Sequence, residues 1–315
     1  RYIDGAAEAG CDCAKFQSYK AETIVSKDSP AYWDITKEPT KTQYELFQKY
    51  DSFNEAEFAE LCEYAHFKGM DFTATPFDYA SADYLERYVD FYKISSSDAS
   101  NLPFLEHVGS KGKPVVLSVG ASWLSEVDEA VRTLERSGCT DITILHCVLS
   151  YPTDPANANL RVIETLAQDF PRHKVGYSDH VAPDSAMQVL SAAYLLGAQV
   201  IEKHFTLDKG LSGNDHYHSG DIADFKHAVE NFRLIDSVLG SADKVVLPCE
   251  EESRREARRS LVLTRDMYTG EVIGVDDLMP KRPGTGIAPA FVDVIIGRTV
   301  KMDLAEDTVL TWNMV

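Results

Sequence analysis

The 315-residue sequence predicts a TIM-type (β/α)8 barrel whose first strand is missing from the chain, followed by a small all-β module. Three observations predict it. Short runs rich in Val, Ile, Phe and Tyr alternate with amphipathic helical stretches over the first 205 residues, and such alternation with short turns means parallel strands with helices outside them. One helical stretch, 1–9, precedes the first run, so the chain starts inside its first repeat; restoring that strand gives eight βα units, the number that closes a barrel. After Gly240 the texture turns polar and charged, and from Arg258 short, turn-bounded strands carry no helical period.

The strands are expected at 12–18, 70–75, 90–95, 114–119, 141–147, 174–178 and 198–205. Between them, 55–67 places Phe58, Leu61, Cys62 and Ala65 on one helical face, and 123–136, 185–196 and 222–239 carry the same period. A doubly wound open sheet is the competing architecture, opposed by the lack of a GxGxxG turn after any strand. Residues 1–240 form the barrel domain, and the polar, charged stretch 241–257 is a linker or arm. Residues 258–315 form the β module: strands at 259–263 and 266–273, a rhythm repeated at 303–310, hairpin connections, and an irregular loop around Pro280 and 282–286.

Composition excludes several functions. With 44% hydrophobic and 26% charged residues the chain buries a globular core, and its net charge of −19 repels nucleic acid and anionic membranes. An anionic ligand must therefore be captured locally. The six cysteines show neither CxxC nor zinc spacing, and read as reduced thiols of a cytoplasmic protein. No signal peptide opens the chain, and the longest apolar stretch, 186–201, is interrupted by Gln188, Ser191, Gly197 and Gln199.

Barrel chemistry sits where strands end at their C-terminal rim. That rim reads Lys15 and Gln17; Thr75; Lys93, Ser96 and Asp98; Ser118 and Gly120; His146, Cys147 and Tyr151; Ser178, Asp179 and His180; Glu202, Lys203 and His204. Lysines inside apolar strands are costly without an anion. One could form a Schiff base, but two with Ser and Thr hydroxyls suit a phosphate plus a carboxylate better; the plainer alternative is that each points outward or meets a buried carboxylate. His180 and His204 close consecutive strands, which sets their rings side by side in a pattern suited to a divalent transition metal. His216 and His218 offer a second cluster with i, i+2 spacing, in a loop where solvated histidines are common. His146, in an apolar strand, reads as packed and hydrogen-bonded, and Asp179 either orients a ring or faces the other way.

The motifs KFQ (15–17), ATPF (74–77), YKISSSD (92–98), LSVG (117–120), HCVLSYPT (146–153), GYSDH (176–180), IEKHFTLD (201–208), GND (213–215), ARRSL (257–261) and KRPGTG (281–286) occur in order. The chain thereby resembles, over essentially its whole length, the N-acetylneuraminate (sialic acid) synthase family, which includes the legionaminic and pseudaminic acid synthases. The β module is similar to the antifreeze-like (SAF) domain, of β-clip type, that ends these enzymes.

The resemblance implies condensation of phosphoenolpyruvate with an N-acylated mannosamine-type sugar, an N-acyl hexosamine, in its open-chain aldehyde form, giving a nonulosonic acid and phosphate. It implies that Lys15, Thr75, Lys93, Ser96, Ser118 and Ser178 hold phosphoenolpyruvate, with Lys15, Lys93 and Asp98 in catalytic roles. It assigns His180 and His204 to a divalent metal, Mn2+ usually, with Mg2+ or Co2+ as the other candidates. It assigns Gln17, Asp98, Tyr151 and Asp215 to the sugar, and has Arg282 reach the acyl group from the partner subunit of a domain-swapped homodimer.

Three departures accompany the resemblance. The family's first strand carries a Glu-Ile-Gly…Asn-His motif whose Glu is a catalytic acid/base, and no residue here supplies it; either the natural protein is longer, or this chain is truncated and inactive alone. Leu149 stands where many members carry Asn or Ser facing the donor carboxylate. Asn214-Asp-His-Tyr-His218 differs from the GPD-type loop of the sialic acid branch on the sugar side, leaving the acceptor open. Two other functions compete: a phosphoenolpyruvate–aldose synthase of the 3-deoxy-octulosonate type, opposed by the β module, and a catalytically decayed sugar-binding homologue, opposed by retention of both lysines and both histidines.

Overall fold

Seven parallel strands carry the larger part of the molecule: β1 (Cys13–Ser18), β2 (Asp71–Pro76), β3 (Tyr92–Ile94), β4 (Val115–Ser118), β5 (Ile142–Cys147), β6 (Lys174–Asp179) and β7 (Val200–Lys203). The structure, a computed structural model, describes residues 1–51 and 53–315. β1 pairs with β2, and β3 to β7 pair in sequence order, every ladder parallel. Asp90 N donates to Phe72 O at 2.9 Å and Thr73 Oγ1 to Phe91 O at 2.5 Å, carrying the chain across from β2 to β3. The sheet curls on itself: Lys15 of β1 and Glu202 of β7 lie within 3.8 Å. This is the parallel, barrel-type sheet that the sequence predicts.

Several helices cover the outside of the sheet and hide an apolar stripe against it. The helix Glu55–Phe67 buries Phe58, Cys62 and Ala65, and starts with Asn54 Oδ1 accepting from Ala56 N and Glu57 N while Asn54 N donates to the Glu57 carboxylate. Helix Tyr2–Ala9 packs on helix Ile222–Leu239. Gly5 permits that approach and that of the segment after β7: a Cβ there would meet Ile222 Cδ1 at 3.2 Å, Phe205 Cζ at 2.9 Å and Leu207 Cδ2 at 3.0 Å. The helix expected from 185 begins at Gln188, since Met187 is left-handed (φ 49°) and Asp184 accepts from Gln188 N. Tyr92, Tyr177, Phe58, Phe72 and Phe104 are the bulkiest fully buried side chains of the core.

The chain divides into two compact units, Arg1–Leu239 and Gly240–Val315. In the second, β8 (Ser260–Leu263) pairs antiparallel with β9 (Leu278–Lys281), and single bridges join Val262 to Val309, Met267 to Leu304 and Val272 to Thr299. Its separate core includes Leu261, Leu263, Met267, Ile273, Ile287 and Ile295. The stretch 241–257, read from sequence as a linker or arm, carries the helix Glu251–Ala257. All six cysteines are free thiols; Cys62, Cys139 and Cys147 are buried, Cys11 and Cys13 half-buried, and Cys249 exposed. Among the described residues no helix is long and apolar enough to cross a membrane.

Candidate functional site

In a strand, alternate side chains share a face. The register sets Cys147, Ser178 and Glu202 in one row across β5, β6 and β7, and Lys15 and Gln17 of β1 opposite Thr73 and Thr75 of β2. The same alternation sends Asp179 and Lys203 to the opposite face, where they form a buried ion pair of 2.5 Å. Asp179 therefore orients no histidine; it accepts from Tyr177 Oη and Val181 N as well as Lys203.

Glu202 is the centre of the charged cluster, and the sequence reading did not single it out. Lys15 Nζ lies 3.8 Å from its Oε1, Lys93 Nζ 3.7 Å from its Oε2, and Ser178 Oγ donates to Oε1 at 2.9 Å. Burial raises the Glu202 carboxyl, but the two ammonium groups and Ser178 overcome it and hold the pKa at about 2. Burial pushes the Lys93 amine down, and Glu202 opposes that. The lysines thus point inward and meet a buried carboxylate, the plainer of the sequence alternatives. Even so, 3.7–3.8 Å is well beyond the 2.7–2.9 Å of a charge-assisted hydrogen bond, so both ammonium groups have donors to spare. The signal that could have found Glu202 is its i, i+2 relation to His204.

Ser96 lies beside Cys147, which pairs with Ser178 in the row that holds Glu202. Ser96 Oγ, at the turn after β3, accepts from Gly120 N at 2.8 Å. A Cβ on Gly120 would lie 3.0 Å from Ser96 Oγ, 3.1 Å from Cys147 Sγ and 3.1 Å from Leu149 Cγ, which ties Ser96, Gly120, Cys147 and Leu149 into one tight spot. Thr75 is buried, and Ser118 Oγ is buried with no hydrogen-bond partner among the described residues. Asp98, in the turn Ser96–Asp98, accepts from Asn101 Nδ2, and burial raises its carboxyl.

The imidazoles form the neighbouring group. His180 and His204 rings are 5.2 Å apart, and Tyr151 lies 4.2 Å and 6.1 Å from them. His180 Nδ1 bonds to Val148 O at 2.9 Å; a carbonyl only accepts, so the proton is on Nδ1 and the Nε2 lone pair is free. Burial pushes both imidazoles down, which keeps them neutral and able to ligate. Among the described residues no group of three or more His, Cys, Asp and Glu is arranged around a metal position; two imidazoles fit a divalent ion whose remaining ligands come from water or substrate. His146 is packed as expected, its Nε2 bonded to Ala158 O at 2.8 Å and its ring stacked on Tyr177. His216 Nδ1 pairs with Thr206 Oγ1 at 2.8 Å, so it stands apart from His218, which the fold turns toward His204.

Asp215 lies against two of these rings, Oδ2 3.5 Å from His204 Nδ1 and Oδ1 3.7 Å from His218 Nε2. Gln17 is exposed at the end of β1. Arg282 belongs to the second unit, exposed just after β9.

Sequence models of two families match the chain, the NeuB family over residues 2–244 and the SAF domain over residues 258–315. The chain belongs to the NeuB family. It is 44% identical over 312 residues to the uncharacterized protein MJ1065 of Methanocaldococcus jannaschii, covering 99% of this chain and 88% of that one. It is 38% identical over 317 residues to the N,N'-diacetyllegionaminic acid synthase of Legionella pneumophila, covering 98% and 88%. The crystal structure of the sialic acid synthetase of Leptospira borgpetersenii, in complex with citrate, is similar at a TM-score of 0.69 and 32% identity, covering 80% of this chain and 83% of that one. The NeuB-family chain described here thus shares its fold with a sialic acid synthetase.

Proposed function

We propose that this chain condenses phosphoenolpyruvate with the open-chain aldehyde of an N-acylated mannosamine-type sugar, releasing phosphate and forming a nine-carbon 2-keto acid. The observation that carries the reading is the juxtaposition, at one end of the sheet, of a two-lysine anion cluster and a neutral imidazole pair. Membership of the NeuB family supports it.

In the reaction a bond forms between C3 of phosphoenolpyruvate and the aldehyde carbon, the aldehyde oxygen takes a proton, water adds at C2, and the C2–phosphate bond breaks. Lys15 and Lys93, with donors to spare, bind the phosphate and carboxylate of the donor, and Thr75, Ser96, Ser118 and Ser178 complete the cradle. The unpartnered Ser118 hydroxyl fits that use, since a buried polar group left without a bond costs about 1–3 kcal/mol. Holding the donor in one orientation turns an encounter into a positioned step. His180 and His204 would hold a divalent ion, manganese by family resemblance, which supplies Lewis-acid polarisation of a carbonyl. Asp98, its carboxyl raised by burial, is the group proposed to hold a proton. Gln17, Tyr151 and Asp215 take the sugar, and Arg282 reaches it from a second copy of the chain.

The test is phosphate release by the natural full-length protein given manganese, phosphoenolpyruvate and a panel of N-acyl hexosamines. Release that needs both sugar and metal is expected, and silence with every sugar overturns the reading. His204→Ala should abolish turnover and manganese binding, the latter measured by titration, while leaving the melting profile intact. Unchanged manganese affinity would remove the metal assignment.

A further inference from the structure

His218 is the most deeply buried imidazole of the site, and among the described residues neither of its ring nitrogens has a hydrogen-bond partner. The loop that carries it is pinned on both sides. Ser219 Oγ donates to Asp215 O at 2.7 Å, Gly220 N to His204 O at 2.8 Å, and Thr206 N to Gly220 O at 2.9 Å. His216 is fastened to Thr206, and Tyr217 Oη reaches Tyr151 O at 3.4 Å. A ring held this firmly cannot swing out to find water, and a side chain with no exposed surface cannot itself be touched by a ligand. Its nitrogens must be served from within.

The nearest acceptor is Asp215. Its carboxylate is straddled: Oδ1 faces His218 Nε2 at 3.7 Å and Oδ2 faces His204 Nδ1 at 3.5 Å, between two rings whose centroids are 5.4 Å apart. At 3.7 Å and 3.5 Å neither contact is itself a hydrogen bond; a movement of about 0.5 Å would bring His218 Nε2 within hydrogen-bond range of Oδ1. Asp215 itself is half-exposed, with a side chain 53% accessible, so it meets solvent or ligand on one side and the buried ring on the other. Asn214 Nδ2 donates to Oδ1 at 3.2 Å and limits its rotation.

We propose that His218 is a positioning residue: its Nε2–H anchors Oδ1 of Asp215 and so fixes that carboxylate for the acceptor sugar. The inference deepens the proposed function and rests on it. His218 touches no substrate and acts through Asp215. The class of ligand group selected is a hydroxyl, which donates to an anchored carboxylate oxygen.

The test compares three substitutions in the full-length protein, with N-acetylmannosamine and the other N-acyl hexosamines as acceptors. His218→Gln places an amide nitrogen near the position of Nε2, His218→Asn places it near Nδ1, and His218→Leu removes both. His218→Leu is expected to raise the KM of the sugar about tenfold or more while moving the KM of phosphoenolpyruvate less than about twofold. Gln should restore most of the loss and Asn little. In an Asp215→Asn background the Leu substitution should have almost no further effect, because the two residues act as one unit. Additive losses, equal rises in both KM values, or rescue by Asn as complete as by Gln would each overturn the inference. Should His218→Leu fail to fold, the Gln–Asn comparison decides alone. Wild-type protein that releases no phosphate with any sugar overturns the underlying reading and this inference with it; wild-type turnover with unchanged KM values in every variant overturns this inference alone.

Discussion

At position 120 a single methyl group decides whether the spot proposed to hold phosphoenolpyruvate can pack as it does. Gly120 sits so near Ser96, Cys147 and Leu149 that Gly120→Ala must push at least one of them aside. Overpacking of this kind costs about 1–3 kcal/mol, and it strains the Gly120 N to Ser96 Oγ bond. Chemical denaturation should show that loss, and the KM of phosphoenolpyruvate should rise more than that of the sugar; a variant indistinguishable from wild type on both counts would separate Ser96 from the pocket. None of this was legible in LSVG, because Ser96 and Cys147 are more than twenty positions away in either direction and only the parallel register brings them together. Lys15 and Lys93 were legible, since a charge in an apolar run demands an anion. Their shared partner Glu202 was not, because its neighbours Lys203 and His204 gave equal reason to face either way.

At the scale of the strand, the period of two sorts function from support. Ser178, His180, Glu202 and His204 fall on one face, Tyr177, Asp179 and Lys203 on the other. Asp179 and Lys203 are 2% and 1% exposed in their side chains, joined at 2.5 Å, and Lys203 also donates to Val181 O. Removing one member of such a pair strands the other charge away from water, which costs about 3–5 kcal/mol. Asp179→Asn should therefore shift the urea midpoint strongly downward, whereas Asp179→Leu combined with Lys203→Met should recover much of the loss. A midpoint unmoved by Asp179→Asn would mean that Lys203 finds another anion. The sequence reading left Asp179 open between orienting a histidine and facing away; the alternation of β6 decides for the second, and only the register with β7 identifies its partner. Strand ends were less legible: β3 and β7 are shorter at both ends than their apolar runs, since residues 90–91 and 199 bend ahead of the ladders and Phe205 bridges to Gly220 instead.

For the molecule as a whole, the two units have separate hydrophobic clusters. The change of texture after Gly240 and the loss of helical period from Arg258 announced the second unit, but the helix Glu251–Ala257 was hidden because it has no buried stripe to reveal it. Residues 240–315 should accordingly fold when produced alone, giving a dispersed amide spectrum and a cooperative denaturation curve; a collapsed spectrum would show that this core depends on the rest of the chain. The distribution of thiols supplies a tool for comparing the units. Cys249 is exposed, while burial pushes the Cys11 and Cys13 thiols up to about 11 and about 12 and so starves them of the reactive thiolate. A maleimide fluorophore added near neutral pH should enter at Cys249 first, giving a single-site reporter at the beginning of the second unit without any engineered cysteine.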